Sequence, residues 1–459
     1  MRRAARIDAV RLVVLLPLFL ALIALGPPVY TRGEAREGLV VQGLLAGGDW
    51  IAPRRESVLA SKPPLFHWIA ASTARLVGRS DFALRFPSAV GAWGMVVATF
   101  MLGMALFDRR RSWLAVGVLL ATMGFWRPAM EARVDMLFAA AVTVALAGFA
   151  HWQRTAHAGA RLTFFLGCAA AVLTKGPIGI VLPGAIVVAT HLWARDVARL
   201  RELWAPGPAC AAAALVLGWY GLAYHRAGQE LLGVQLVHEN LERAVGWGSF
   251  ARQRREHPLK LVGSFITWLV PWNAVALATW RRPTSWQSRL LHAWWIVTLA
   301  FFTVAAGKRS VYLLPLYPAI ALLAADWFDV RVDWRPWLAV VLGSVGALLA
   351  AGNVAMARYE AAQSPLRAFA DAVQAAVPPT ADVGAHGVGE NERLVLAYRL
   401  ARPLPRLDRT APDPSFLVVP RTAEDGRGHD CDPRVSWPEG DGGLVLLACP
   451  PDSGREQGR

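Results

Sequence analysis

Long apolar runs and short polar segments alternate along the chain from residue 9 to residue 356. A hydrocarbon core about 30 Å thick is crossed by a helix of about 20 apolar residues. By this criterion the pattern predicts about eleven transmembrane helices, at residues 9–27, 83–107, 113–127, 136–152, 162–176, 177–194, 208–225, 262–280, 290–306, 311–327 and 336–356. The first run lacks a clean small-residue cleavage site, so we interpret it as an uncleaved helix rather than a signal peptide.

Arginines in the polar segments predict the orientation of these helices. Cytoplasmic loops of membrane proteins carry an excess of Lys and Arg. Alternate segments are rich in arginine and fall on the same side as Arg2 and Arg3, namely 108–111, 154–161, 195–201, 281–282 and 331–335. We therefore expect a cytoplasmic N-terminus, and an odd number of helices places the residues after 356 on the outer side.

The pattern changes after residue 356, where the long apolar runs end. Short strand-like and helical segments there predict a small α/β domain, with strands at 395–398, 416–419 and 444–447 and a helix near 366–377. The expected organisation is thus a transmembrane domain at 1–356, with outer loops at 28–82 and 226–261, and a soluble exported domain at 357–459. Cys431 and Cys449 lie in that last domain, where a disulfide and two free thiols are both compatible with the sequence.

The composition supports a polytopic membrane protein, because 55% of the 459 residues are hydrophobic. The formal net charge of +15 belongs partly to the inner loops and partly to the two outer loops. Arginine in an outer loop does nothing for topology, so these cations either contact solvent and lipid headgroups or form a site for an anionic substrate. No basic-aromatic nucleic-acid module is visible, and DNA and RNA are therefore excluded as partners.

The first outer loop contains two predicted amphipathic helices. One begins near Glu34 and ends at Gly47, and the other runs from Pro64 to Val77. Lys62 thus precedes a helix N-terminus, where an anion is also favoured. We expect His67 to lie in this second surface helix beside Trp68, and the apolar side of the helix to consist of Leu65, Trp68, Ile69 and Leu76.

Ionisable residues also stand at the outer ends of later spans, where they either mark the interface or contribute to a shared site. These residues are Arg133, Asp135, Lys175 and Lys308, the last of them followed by Tyr312. Because topology places all of them on the outer side, Asp135 is expected to pair with Lys175 or Arg133.

An ordered set of motifs resembles the aminoarabinose-transferase and protein-mannosyltransferase-like glycosyltransferases of the GT-C fold. The resemblance extends over residues 8–325 and is carried by Glu34–Arg36, Leu45–Arg54, Lys62–Trp68, Arg85–Ser88, Arg133 and Asp135, Lys175–Pro177, His238–Arg243, His257–Pro258, Pro271–Trp272 and Lys308 with Tyr312–Pro318. It implies an all-α polytopic enzyme with amphipathic helices on its outer face.

The resemblance also implies a reaction and a location. A sugar, pentose or hexose, would move with inversion from undecaprenyl phosphate to a lipid A, glycan or protein acceptor, at the periplasmic face of a bacterial inner membrane. The partners would be that donor, that acceptor and the membrane lipids, and the domain at 357–459 would be periplasmic. Cations can neutralise the leaving phosphate, so no cofactor is required, and no zinc-type ligand spacing supports a divalent metal.

The family's motifs assign roles to individual residues. Phosphate contacts fall on Arg36, Lys62, Arg243 and Lys308. Polar roles in the cavity fall on Arg133, Lys175, His238, Glu239 and Tyr312, although His238 and His257 are equally compatible with a structural role near an aromatic belt. The acceptor's proton requires a carboxylate, for which the candidates are Glu34 and Asp135.

Two departures from the family pattern leave the mechanism open. Gly33 stands where members carry the Asp of an Asp-Glu pair, and Ser61 stands where many have an acidic residue before Lys-Pro. Three hypotheses follow: Glu34 acts as the base, Asp135 replaces the missing carboxylate, or the chain is a catalytically weakened homologue.

Two other classes share some of these features. A transporter would also be polytopic, but it should place charged or helix-breaking positions near the midplane and show paired halves, which this sequence does not. A glycan ligase or polymerase that uses lipid-pyrophosphate donors would also need arginines in outer loops. The ordered Lys-Pro and Lys-Gly-Pro motifs favour the glycosyltransferase over both.

Overall fold

The protein is mostly helical in the computed structural model, which describes residues 2–203, 205–242, 245, 257, 259–280, 285–331, 336–408, 414–421, 431–437 and 443–449. The helices are α1 Arg2–Ala24, α2 Arg32–Leu45, α3 Leu65–Val77, α4 Asp81–Leu106, α5 Arg109–Leu120, α6 Met123–Met130, α7 Val134–Thr155, α8 Ala158–Lys175, α9 Ile178–Ala194, α10 Ala198–Leu203, α11 Pro206–Ala227, α12 Gln229–Leu231, α13 Lys260–Trp268, α14 Trp272–Thr279, α15 Trp286–Val304, α16 Tyr317–Arg331, α17 Pro336–Ala362, α18 Pro365–Ala376 and α19 Glu390–Arg399. A π-helical segment, Leu232–Glu242, follows α12, and a 3₁₀ helix, Ser310–Leu316, precedes α16.

Each predicted apolar run is helical, but not every run is one straight span. Within the described residues, seven helices are long and apolar enough to cross a membrane, or up to nine if two bent pairs each count as one span. The pair α5 and α6 bends by 71°, and the pair α13 and α14 bends by 112°. Pro271 stands between α13 and α14, where a proline disfavours a continuous helix.

The chain divides into two compact units. The first comprises Met1–Leu25 and Gly48–Asn353, and the second comprises Gly26–Gly47 and Val354–Arg459. Helix α2, which the sequence places in the first outer loop, therefore belongs to the second unit together with the C-terminal residues.

Helix α7 packs between α4 and α8 in the first unit, at distances that only small residues allow. A Cβ atom on Gly91 of α4 would lie 2.9 Å from the Cα of Leu137 in α7. A Cβ on Gly167 of α8 would lie 2.6 Å from the backbone nitrogen of Ala145. Since α7 and α8 form an antiparallel hairpin, this packing brings the start of α7 beside the end of α8.

Two hydrogen bonds define the relative direction of helices α4 and α7. The Ser88 hydroxyl of α4 donates to the carbonyl of Arg133, 3.2 Å away, and Arg154 at the far end of α7 donates to the carbonyl of Met104, 2.5 Å away. Helices α4 and α7 thus run in the same direction. From Asp135 to Arg154 the helix rises by about 30 Å, which matches the thickness of a hydrocarbon core.

Arginines concentrate at the Arg154 end of the bundle and are paired with aspartates. Arg109 contacts Asp8 at 2.7 Å, and both Arg110 and Arg111 contact Asp329 at 3.0 Å. Asp135 lies at the opposite end. Arg109, Arg110, Arg111 and Arg154, which the sequence predicts on one side of the membrane, thus lie at the same end of the bundle.

Helix α3 is present where the sequence predicts it, and His67 lies in it beside Trp68 as expected. His67 is fully buried, and Leu76, on the predicted apolar side, is 85% exposed. The buried side carries Ala70, Ala71 and Ala74, whose small side chains allow α3 to approach α4 closely. Phe66 is buried as well, whereas Leu76 and Val77 are exposed, which suits a helix in contact with lipid.

The second unit contains a four-stranded sheet of order β3-β4-β6-β5. Its strands are β3 Val383–Ala385, β4 Phe416–Pro420, β5 Asp432–Ser436 and β6 Leu444–Ala448; a separate hairpin of the first unit pairs β1 Arg54–Arg55 with β2 Val58–Leu59. Strands β3 and β4 are parallel, and the other neighbours are antiparallel. A disulfide joins Cys431 to Cys449 beside β5 and β6, which settles the alternative that the sequence left open.

Predictions for the C-terminal segments are mostly confirmed. Strands β4 and β6 and helix α18 lie where the sequence places them. The strand predicted at 395–398 is wrong, because these residues belong to α19. Residues 394–397 are all buried, and a short, continuously apolar run cannot be assigned to a strand or a helix by periodicity.

The close packing of α7 and α8 gives a stability prediction. Gly167→Ala should lower the thermal midpoint of the purified protein, since the added methyl group overpacks the α7–α8 contact at a cost of about 1–3 kcal/mol. Gly221→Ala in α11 is the matched control, because a Cβ there meets nothing within 4 Å. That control should leave the midpoint unchanged or raise it through better helix propensity. Equal midpoints for the two variants would contradict the proposed close contact.

Candidate functional site

A cavity of about 220 Å³ lies at the Asp135 end of the bundle. Its polar lining comes from parts of the chain far apart in sequence, and an apolar wall faces it from the end of α15. The polar residues are Lys62 before α3, Lys175 at the end of α8, Glu239 and Asn240 in the π-helical segment, and Tyr312. Most of these are residues that the sequence analysis assigned to the site.

Lys62 forms a buried ion pair with Glu239. The Lys62 Nζ atom donates to Oε2 of Glu239 at 2.7 Å, and each side chain is only 7% exposed. Two opposite charges removed from water tolerate burial only while they stay paired and hydrogen-bonded. The ammonium of Lys62 is thus held in the cavity wall by a carboxylate from the second outer loop.

Gln235 fixes the backbone on which Lys62 stands. Its side-chain nitrogen donates to the carbonyl of Ala60 at 2.8 Å and to that of Lys62 at 3.3 Å. Glu239 lies four residues later in the same segment. Residues 235 and 239 therefore hold both the main chain and the ammonium of Lys62.

Lys175 is paired with Asp135, as the sequence predicts. Its Nζ donates to Oδ1 of Asp135 at 2.6 Å, and Nε of Arg133 lies 3.9 Å from Oδ2. The ammonium also lies 4.3 Å from the ring centroid of Tyr312, within the range of a cation–π interaction. Gly176 follows with φ +91°, a conformation that favours glycine and that turns the chain sharply after Lys175.

Lys308 is buried and donates to main-chain carbonyls beyond the C-terminal end of α15. Its Nζ lies 3.0 Å from the carbonyl oxygen of Ala305 and 3.5 Å from that of Ala306. A cation is stabilised at this end of a helix. Because Ala305 and Gly307 line the cavity, Lys308 stands directly behind its wall. Its role in phosphate binding stays a prediction.

The first and second outer loops are joined a second time by Arg54 and Glu230. Arg54 donates to Glu230 through both terminal nitrogens, at 3.2 and 2.6 Å, and the Leu59 amide donates to the same carboxylate at 3.2 Å. The hydrogen bond from Arg54 holds the pKa of Glu230 below its ordinary value, although burial opposes the shift. Glu230 is thus a charged partner of the β1–β2 hairpin.

Sequence reasoning missed Glu230 and Gln235. The available signal was the presence of carboxylates in an outer loop dominated by arginines, because buried or clustered cations need counter-ions. Gln235 carried no such signal, since its contribution depends on the position of the main chain around Lys62.

The other predicted site residues lie elsewhere or have other partners. Glu34 is buried in α2, and Arg36 donates to Oε1 of its neighbour Glu37 at 2.6 Å; all three belong to the second unit. His238 forms a 2.8 Å hydrogen bond with Glu242, and its side chain is 41% exposed. Arg243 lies outside the described residues. Within the described part of the chain, no group of three or more His, Cys, Asp or Glu side chains is arranged to hold a metal ion.

The Asp135–Lys175 pair gives a second stability prediction. Asp135→Asn should destabilise the protein by about 3–5 kcal/mol, because it leaves the buried Lys175 ammonium without its counter-ion. The double variant Asp135→Asn, Lys175→Met should recover part of that loss. Thermal unfolding in detergent for both single variants and the double variant measures the coupling. Strictly additive effects would show that the two side chains do not interact.

Comparisons with known proteins agree with this architecture. Residues 61–219 match the family model for dolichyl-phosphate-mannose-protein mannosyltransferases. The chain is similar to the undecaprenyl phosphate-alpha-4-amino-4-deoxy-L-arabinose arabinosyl transferase of Shewanella sediminis, with 26% identity over 338 residues, or 69% of this chain and 60% of that protein. It is also similar to the enzyme of the same name from Pectobacterium carotovorum, with 28% identity over 365 residues, or 74% of this chain and 64% of that protein. The chain thus spans less than two thirds of the length of these relatives.

A solved structure shows the same fold over nearly the whole chain. The crystal structure of ArnT from Cupriavidus metallidurans bound to undecaprenyl phosphate superposes with a TM-score of 0.81 and 18% identity, over 96% of this chain and 99% of that one. Together with the relatives and the family model, it confirms the resemblance that the motifs predict. The chain therefore has the GT-C fold of this ArnT structure, and its residues 61–219 resemble the mannosyltransferase family.

Proposed function

We propose that the protein is a membrane glycosyltransferase that moves a sugar from undecaprenyl phosphate to the hydroxyl of a lipid A, glycan or protein acceptor. The observation that carries this proposal is the buried Lys62 ammonium in the cavity wall, within a Lys-Pro motif shared with the family. The similar ArnT protein was crystallised with undecaprenyl phosphate. A lipid phosphate is an anion that this cationic cavity is suited to receive.

The proposed reaction requires cations at the leaving group. The acceptor oxygen forms a bond to C1 of the sugar while the bond from C1 to the phosphate oxygen breaks, and its electron pair stays on the phosphate. Lys62, with Lys308 behind the wall, stabilises the negative charge that develops there. Attack from the face opposite the phosphate inverts the configuration at C1.

The acceptor's proton needs a carboxylate, for which Glu34 and Asp135 are the two candidates. Asp135 already accepts a short hydrogen bond from Lys175 and lies near Arg133. This arrangement suits a residue that positions Lys175 in the cavity. We therefore propose Glu34 as the general base and Asp135 as a positioning residue, with Asp135 as the alternative base.

The proposed location follows from the distribution of charge. We propose that the end with Arg109–Arg111 and Arg154 faces the cytoplasm together with the N-terminus, and that the Asp135 end with its cavity faces the periplasm. The C-terminal domain is proposed to be periplasmic, and its Cys431–Cys449 disulfide supports an oxidising compartment. The membrane would be a bacterial inner membrane.

Donor consumption tests the proposed activity. Membranes that contain the protein should consume at least one member of a panel of polyprenyl-phosphate sugars. Lys62→Ala should lower the rate by a factor of about 100 or more, the loss expected when a charged transition-state contact is removed. Lys260→Ala is the control, since this lysine also belongs to an outer loop but is exposed and does not line the cavity. If the unmodified protein consumes no donor, the proposed activity is wrong.

The base assignment has its own test. Glu34→Gln should reduce the single-turnover rate by a factor of about 100 or more, a typical contribution of general-base catalysis. Glu230→Gln provides a control for the loss of a carboxylate in an outer loop. Full activity of Glu34→Gln with loss of activity in Asp135→Asn would move the role to Asp135.

A further inference from the structure

Glu239 occupies the position that a lipid phosphate needs. Its carboxylate lies 2.7 Å from the Lys62 ammonium, and both side chains line the cavity. Because each side chain is 7% exposed, the pair has little contact with water. A phosphate that replaces Glu239 as the partner of the Lys62 ammonium would therefore displace a carboxylate rather than solvent.

The charge of the lipid phosphate changes during the proposed reaction. The sugar donor is a phosphodiester with one negative charge. The product is a phosphomonoester, whose second pKa near 6 gives it a charge of about −1.5 to −2 at neutral pH. The product thus binds a buried ammonium more strongly than the donor does, and release of the product becomes the difficult step.

We propose that Glu239 is an exchangeable counter-ion that yields Lys62 to the donor phosphate and expels the polyprenyl phosphate product when it pairs with Lys62 again. This inference rests on the proposed function. Glu239 is a positioning residue in this account, since the acceptor's proton goes to a different carboxylate. The C1–O bond to phosphate is already broken when Glu239 returns, so the exchange involves no covalent step.

The local structure allows this exchange without loss of the site. Gln235 holds the carbonyls of Ala60 and Lys62 independently of Glu239, so the backbone at Lys62 keeps its position when the carboxylate leaves. Glu239 lies in the π-helical segment Leu232–Glu242, a rare geometry that is frequent at functional sites.

The same segment also contacts the second lysine of the cavity. The side chain of Asn240, next to Glu239, packs against Gly176, which follows Lys175. A shift of the main chain at Glu239 would therefore change contacts on both the Lys62 side and the Lys175 side of the cavity. One short segment lies against both lysine-bearing parts of the chain.

The variant Glu239→Gln distinguishes the proposed counter-ion exchange at Lys62 from other roles of Glu239. The neutral amide competes poorly for the ammonium, so the dissociation constant for polyprenyl phosphate should fall about 10-fold or more, the difference expected for one charge-assisted hydrogen bond. The single-turnover rate of sugar transfer should stay close to that of the unmodified protein. The steady-state rate should fall about 10-fold, with a burst of one product per enzyme, because release becomes limiting.

Two further variants keep the test decisive. Glu56→Gln removes an exposed carboxylate of the first outer loop that does not line the cavity, and should show neither the burst nor the tighter binding. Glu239→Asp retains the charge on a shorter side chain and should show the same changes as Glu239→Gln at smaller size. If Glu239→Gln does not fold, the affinity for polyprenyl phosphate and the two rates are measured on Glu239→Asp instead.

The outcomes separate the inference from the proposed function. Loss of the single-turnover rate in Glu239→Gln with unchanged affinity for polyprenyl phosphate would overturn the exchange and indicate a role in the chemical step. Unchanged affinity and unchanged steady-state rate would overturn it as well. If the unmodified protein neither binds polyprenyl phosphate nor consumes a donor, the proposed function itself fails.

Discussion

The ammonium groups of Lys62 and Lys175 are buried at one end of an apolar helical bundle, and each is stabilised there by a paired carboxylate. Lys62 has Glu239 and Lys175 has Asp135, at 2.7 and 2.6 Å. An unpaired charge at either place would cost several kcal/mol. The arrangement of the outer loops and of the α7–α8 hairpin follows from this requirement, since both serve to bring the partners together.

The packing that satisfies this requirement differs between the two pairs. Asp135 and Lys175 stand at the open end of one helical hairpin, where glycines let α7 and α8 approach closely. Lys62 and Glu239 are separated by 177 positions in the chain and meet because two outer loops fold against each other. Arg54, Glu230 and Gln235 supply the hydrogen bonds of that contact.

This difference explains how much the sequence could predict. Apolar runs of sufficient length identify the spans, and the topology places Asp135 and Lys175 on the same side, so their pairing was predictable. The pairing of Lys62 with Glu239 was not, because it depends on the tertiary contact of two loops with no shared periodicity. The burial of His67 was not predictable either, because it depends on how α3 packs against α4. The strand predicted at 395–398 failed because a four-residue apolar run suits a buried helix equally well.

The departures from the family motifs acquire a physical meaning in this context. Gly33 removes one carboxylate, but the cavity of the first unit still contains Glu239, and Asp135 stands behind Lys175. The interactions of each acidic residue therefore say more about its role than the number of acidic residues does. Lys62 and Lys175 each have a carboxylate that stabilises the ammonium in the absence of substrate, and the proposed exchange involves only the Lys62–Glu239 pair.

A structure of the protein with a bound polyprenyl phosphate tests the central claim most directly. The account predicts a phosphate oxygen about 3 Å from Nζ of Lys62, the Glu239 carboxylate displaced from that ammonium, and the Lys175–Asp135 pair intact. A phosphate bound elsewhere, with the Lys62–Glu239 pair unbroken, would contradict it.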